Sequence, residues 1–114
     1  MADAGQTFAI RVRAAPAAPP WPPSRVTVLG DAIHAMSPGR GSGANTALQD
    51  AALLSRMLTT AAAEGGDVVA AIGEYERQMR EYGYAAIAAS RQAEAETGAR
   101  RNRLLFWLYR HRSD

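Results

Sequence analysis

The chain contains no cysteine and no lysine; all 13 of its basic residues are arginine. Without Cys, disulfides, thiolate zinc sites and cysteine nucleophiles are excluded. Without Lys, a G-x-x-x-x-G-K-[ST] phosphate loop is excluded, because that loop needs the lysine ammonium at the phosphates. The two histidines, His34 and His111, stand too far apart in sequence to suggest a metal site. No apolar run reaches the ~18–20 residues of a membrane span. The N-terminus lacks a basic stretch followed by an apolar core, so no signal peptide is evident. A cytoplasmic protein with no membrane partner is the expectation. A formal net charge of +2 is too close to neutral to argue for nucleic acid over the whole chain. At 114 residues and 47% hydrophobic, the chain is one domain, or a piece of one, with a packed core.

What is present divides into distinct stretches. In Thr7–Arg13 the apolar Phe8, Ile10 and Val12 alternate with Arg11 and Arg13, which predicts a strand over Thr7–Val12 with one buried side. Ala14–Ser24 holds five of the six prolines and reads as an extended connector. Val26–Leu29 is a short β-branched run ending at Gly30, the pattern of a strand buried on both faces. Beyond a Gly-rich loop, Ala47, Leu48, Ala51, Leu54 and Leu58 recur at helical spacing and predict a helix over 44–63, capped by Ser42 or Gly43 and stopped by Gly65 and Gly66. Asp67 sits as the N-cap of a second helix over 68–97, with an apolar stripe through Val69, Ile72, Tyr75, Met79, Tyr82 and Ile87. Gly98 ends it, and a third helix, basic and amphipathic, is expected over 100–109. Its Arg100, Arg101 and Arg103, with Arg110 and Arg112, read as a solvated face.

The order strand, Gly-rich loop, helix has a physical meaning. The first N–H groups of a helix lack intrahelical partners, and the macrodipole adds partial positive charge there. An electron-rich group binds well at such an end, and glycines admit a flat ligand close to the backbone. Asp31, directly after the strand, is placed to accept hydrogen bonds from the hydroxyls of a polyol. The spacing is neither of the two nucleotide-loop patterns, so on spacing alone a ligand site and a purely structural turn stand about even. His34 reads as a packed or capping residue with no triad around it. Asp50 reads as a structural bond to a neighbouring loop, and the tyrosines and tryptophans read as core.

The run VTVLGDAIHAMSPGRGSGANTALQDAALLSRML resembles the second flavin-binding motif of the FAD-dependent aromatic hydroxylases, the class A flavoprotein monooxygenases. The pattern there is G-D-A-A-H-x-x-x-P-x-x-G-x-G-x-N followed by a helix with an Asp. Gly30, Asp31, Ala32, His34, Pro38, Gly41, Gly43, Asn45 and Asp50 match it, while Ser37 stands where the family often has a proline. The flanking PPWPPSRVTVLGDA and EYERQMREYGYAAIAASR are similar to the family too.

The resemblance implies FAD as cofactor, with NAD(P)H as co-substrate and an aromatic or related small molecule as substrate. It implies cofactor contacts at Gly30, Asp31, Pro38, Gly41, Gly43, Ala44 and Asn45, with Asp31 on the ribityl chain and the N–H groups of 43–45 facing the flavin ring. No residue is singled out as catalytic, since the chemistry rests on the flavin. The implied fold class is α/β: the C-terminal portion of an FAD-binding, Rossmann-like fold, with two short strands and two or three helices, mostly helical in this chain. Residues 1–24 would end the substrate sheet and its connector, 25–98 belong to the FAD-binding domain, and 99–114 form the basic C-terminal helix. The family's G-x-G-x-x-G turn and its middle Asp-Gly motif are absent from this sequence. A bacterial fragment, incomplete alone, is therefore expected, with an N-terminal partner chain or self-association. The alternative is a non-catalytic helical module that binds a partner.

Overall fold

The computed structural model describes residues 5–7, 9, 13–36 and 42–110. It contains a short α1 (Asp31–His34), a long α2 (Ser42–Glu64) and a longer α3 (Val68–Arg110). The α2–α3 turn follows from its sequence. Gly65 adopts φ 65°, which costs little without a Cβ, and the Gly66 N–H bonds the Ala61 carbonyl at 2.7 Å. Asp67 then caps α3: its Oδ1 accepts the Val69 N–H at 2.9 Å. So short a connection folds α2 back along α3 as a helical hairpin.

The core lies where this hairpin meets α1 and the Pro-rich connector. Ile33, Leu53, Tyr75 and Met79 are buried together, with Ala18, Trp21, Val28, Leu54, Met57 and Tyr82 packed around them. Burial of each large apolar side chain contributes about 1.5–3 kcal/mol. The connector lies against α3 through several named contacts. Tyr84 Oη accepts the Ala18 N–H at 2.9 Å, and the Trp21 indole N–H donates to Glu76 Oε1 at 3.0 Å. The Arg80 guanidinium stacks on Trp21 at 4.0 Å from the ring centre. The Ala15 N–H reaches the Ala35 carbonyl at 2.7 Å and ties the connector to the end of α1. Two glycines on α3 permit this approach. A Cβ at Gly73 would stand 2.9 Å from Pro23 Cγ, and one at Gly83 3.0 Å from His34 Cδ2.

Three expectations need correction. The α/β fold class with two strands does not hold, because no strand occurs among the described residues. Val26–Leu29 is irregular chain; a strand needs lateral partners for its backbone, and here those groups bond side chains instead. The Val26 N–H donates to Ser24 Oγ at 3.1 Å, and the Val28 carbonyl accepts the Tyr75 hydroxyl at 2.9 Å. Most of the Thr7–Val12 stretch lies outside the described residues, and Thr7 and Ala9 carry no regular structure. Secondly, α3 runs unbroken through Gly98 to Arg110. One glycine costs a helix only ~1 kcal/mol, and no capping side chain precedes Arg100 to start a new one. Thirdly, the inward face of α2 is Thr46, Asp50 and Leu53, whereas Leu48 and Ala51 of the expected stripe are exposed.

At 1.5 Å per residue, the 43 residues of α3 far outrun the 23 of α2. Its last ten residues, 101–110, are all exposed. No helix among the described residues is long and apolar enough to cross a membrane.

Candidate functional site

The turn that links the connector to α1 begins at Gly30, with φ 62° and ψ −140°. This backbone region is one that only glycine enters readily. The Gly30 carbonyl accepts the Ile33 and His34 N–H groups, both at 3.1 Å, which closes the single turn of α1. Gly30 also packs against α2, where a Cβ would stand 3.3 Å from Ala47 Cβ.

Below this turn lies a buried carboxylate. Asp50 is fully buried on α2 and is engaged from three directions. Its Oδ2 accepts the Gly30 N–H at 2.7 Å and pairs with His34 Nε2 at 2.5 Å. Its Oδ1 accepts the Tyr82 hydroxyl at 2.5 Å. A carboxylate accepts, so His34 Nε2 carries the hydrogen in this arrangement. Nδ1 of the same ring, also buried, has no partner among the described residues. Burial, and then the hydrogen bond to Asp50 and its charge, push the Tyr82 phenol well above its ordinary pKa. Burial and the charges of Asp50 and Glu76 do the same for Tyr75. Both remain hydroxyl donors at neutral pH.

Of the candidate binding residues, Gly30 is buried in this network, and Asp31, Ala44 and Asn45 are exposed beside it. Asp31, the first residue of α1, is exposed and makes no hydrogen bond among the described residues. Its Oδ1 lies 4.0 Å from where a Cβ on Gly43 would stand, and Met36 Cγ lies 3.5 Å from it. The structure thus brings Gly30, Asp31 and Gly43 together at the start of α2. Ala44 and Asn45 follow on the exposed side of that turn. Pro38 and Gly41 lie outside the described residues.

Sequence reasoning placed Asp50 in a structural bond and His34 in a packed position, but it missed their pairing and the part of Tyr82. The available signal was the set of offsets His34, Asp50 and Tyr82, whose contacts span 16 and 32 residues. Among the described residues no group of three or more His, Cys, Asp or Glu gathers as a metal site.

Residues 4–90 match the family described as FAD binding domain, and the chain belongs to it. A dual O-methyltransferase/FAD-dependent monooxygenase of Phaeosphaeria nodorum is 49% identical over 74 residues, which is 62% of this chain and 8% of that protein. An FAD-dependent monooxygenase of Aspergillus calidoustus is 40% identical over 62 residues, covering 54% of this chain and 13% of the relative. A salicylate hydroxylase of Pseudomonas putida is 38% identical over 65 residues, covering 57% and 15%. The chain therefore spans between 8% and 15% of the length of these curated relatives. Several of the relatives are fungal, so the comparisons do not favour the bacterial origin expected above. No solved structure matches the chain.

Proposed function

We propose that this chain supplies the flavin-proximal part of an FAD-dependent monooxygenase of the aromatic-hydroxylase type. The observation that carries the reading is the placing of an exposed Asp31 carboxylate, without a hydrogen-bond partner among the described residues, against Gly43 at the start of α2, within a stretch that matches an FAD-binding family. These residues fit the cofactor. The absent Cβ of Gly43 leaves room beside the carboxylate, and the start of a 23-residue helix is an environment that favours an electron-rich group.

In this reading Asp31 accepts hydrogen bonds from the ribityl hydroxyls. Gly30 lets the backbone pass close beneath them. The N–H groups of Gly43, Ala44 and Asn45 turn towards the electron-rich edge of the flavin ring, where the helix dipole stabilises negative charge. Pro38 and Gly41, the remaining cofactor contacts the resemblance implies, lie outside the described residues. When bound, FAD supplies the redox chemistry, with NAD(P)H as reductant and O2 as oxidant, acting on an aromatic or related small molecule. No G-x-G-x-x-G turn for the pyrophosphate is present in this sequence. The site is accordingly completed by further polypeptide, either an N-terminal partner chain or the remainder of a longer one, and the chain alone holds FAD weakly. The exposed Val26, Leu29 and Leu48 fit an apolar surface covered in that assembly.

Titrating FAD into the chain while following flavin fluorescence tests the reading. Asp31→Ala removes a charged acceptor whose hydrogen bonds contribute about 1.5–3 kcal/mol, a loss of roughly 10- to 100-fold in affinity. Equal titrations for the two proteins would remove Asp31 from the site.

A further inference from the structure

We infer that Asp50 is a positioning residue for the flavin site: it sets where Asp31 stands relative to the start of α2 without touching the ligand. This inference rests on the flavin reading above and deepens it.

The geometry is that of a clamp. The two ends of one tight turn, Gly30 through its N–H and His34 through Nε2, converge on a single oxygen of Asp50, at 2.7 Å and 2.5 Å. Asp31 lies between those two ends, so gripping both fixes the turn that carries its carboxylate. The grip comes from α2 itself, eight residues beyond its first residue. The helix that presents Gly43, Ala44 and Asn45 is therefore rigidly linked to the turn that presents Asp31.

The second carboxylate oxygen is held by the Tyr82 hydroxyl from α3, which stops the carboxylate from rotating out of register. Gly30, His34 and Asp50 are buried and Tyr82 is partly buried, and a buried polar group left without its partner is costly, more so when charged. The alternatives to this one arrangement are thereby suppressed.

The test uses the 114-residue chain, its backbone amide NMR spectrum and FAD titration. In the wild type the Gly30 amide proton, bonded to a carboxylate, is shifted strongly downfield, and FAD moves the Asp31 and Gly43 amides. Asp50→Asn should move the Gly30, Asp31 and Ser42–Asn45 amides while helix content stays near wild type, and should weaken FAD binding by at least ten-fold. Tyr82→Phe should move the same resonances in the same direction by less, with a two- to five-fold weaker affinity.

If Asp50→Asn does not fold, Tyr82→Phe decides. Shifted turn amides with weaker FAD binding support the inference, and an unchanged spectrum or affinity overturns it. A folded Asp50→Asn with unmoved Gly30 and Asp31 amides, or with moved amides and unchanged affinity, also overturns it. FAD that moves amides elsewhere in the wild-type chain but not those of Asp31 and Gly43 removes the flavin reading, and this inference with it.

Discussion

Replacing Gly83 with alanine should destabilise the protein, although alanine is the better helix former. Position 83 lies inside α3, where Gly→Ala ordinarily gains about 1 kcal/mol. Here the new Cβ would stand 3.0 Å from His34 Cδ2, 3.5 Å from Cγ and 3.7 Å from Cβ. The ring has no freedom to retreat. It is fully buried, and its Nε2 is held 2.5 Å from Asp50, itself held by Gly30 and Tyr82. Inserting a methyl into such a site costs about 1–3 kcal/mol, and any shift of the ring weakens the bond to Asp50. The expected balance, with the weakened bond to Asp50 on the same side, is a net loss of up to about 2 kcal/mol. Gly98→Ala is the control. A Cβ there meets nothing within 4 Å, so only the propensity gain remains, seen as a stronger helical signal. Urea denaturation followed at 222 nm measures the first change, and the native ellipticity measures the second. If Gly83→Ala raised the urea midpoint, the His34–Asp50 pair would not be the rigid wall described above.

The hairpin was largely legible in the sequence because its punctuation is local. Gly65, Gly66 and Asp67 specify a stop and a start within three residues, and no distant partner is needed to read them. The strand expectation failed for the opposite reason. Val26–Leu29 has the composition of a buried strand, but a strand exists only with neighbours, and composition does not state whether they are present. The face of α2 was misplaced because hydrophobicity was the guide. Thr46 and Asp50 point inwards as polar residues, Thr46 bonding the Ser42 carbonyl at 2.7 Å and Asp50 its three donors. The burial of Asp50 depends on partners outside α2, and no local period encodes them. The Gly30–Asp31–Gly43 grouping was legible as a motif. What holds it in register, a carboxylate reaching one way to His34 and the other to Tyr82, became visible only once the helices were packed.

Two further outcomes are expected. Tyr82 has a folded-state pKa above its unfolded value near 10, so its contribution to stability is complete below pH 10 and is lost as pH rises beyond it. Absorbance at 295 nm should show its ionisation arriving together with loss of helix, and Tyr82→Phe should remove that part of the signal; early ionisation with the helices intact would contradict the bond to Asp50. The second concerns the distal end of α3. Leu104, Leu105, Phe106, Trp107, Leu108 and Tyr109 are consecutive, so they reach every side of the helix, and they are 47–74% exposed. Each such side chain removed from water by association would contribute up to about 1.5–3 kcal/mol. The arginines at 100, 101, 103 and 110 repel one another when two such ends meet, so association should strengthen as salt screens them. Light scattering across concentration and ionic strength should therefore show the chain self-associating, more so at high salt, and Phe106→Glu should return it towards the monomer. A wild-type chain that stays monomeric at every concentration and salt would mean that these residues tolerate water, and that no further polypeptide is needed to cover them.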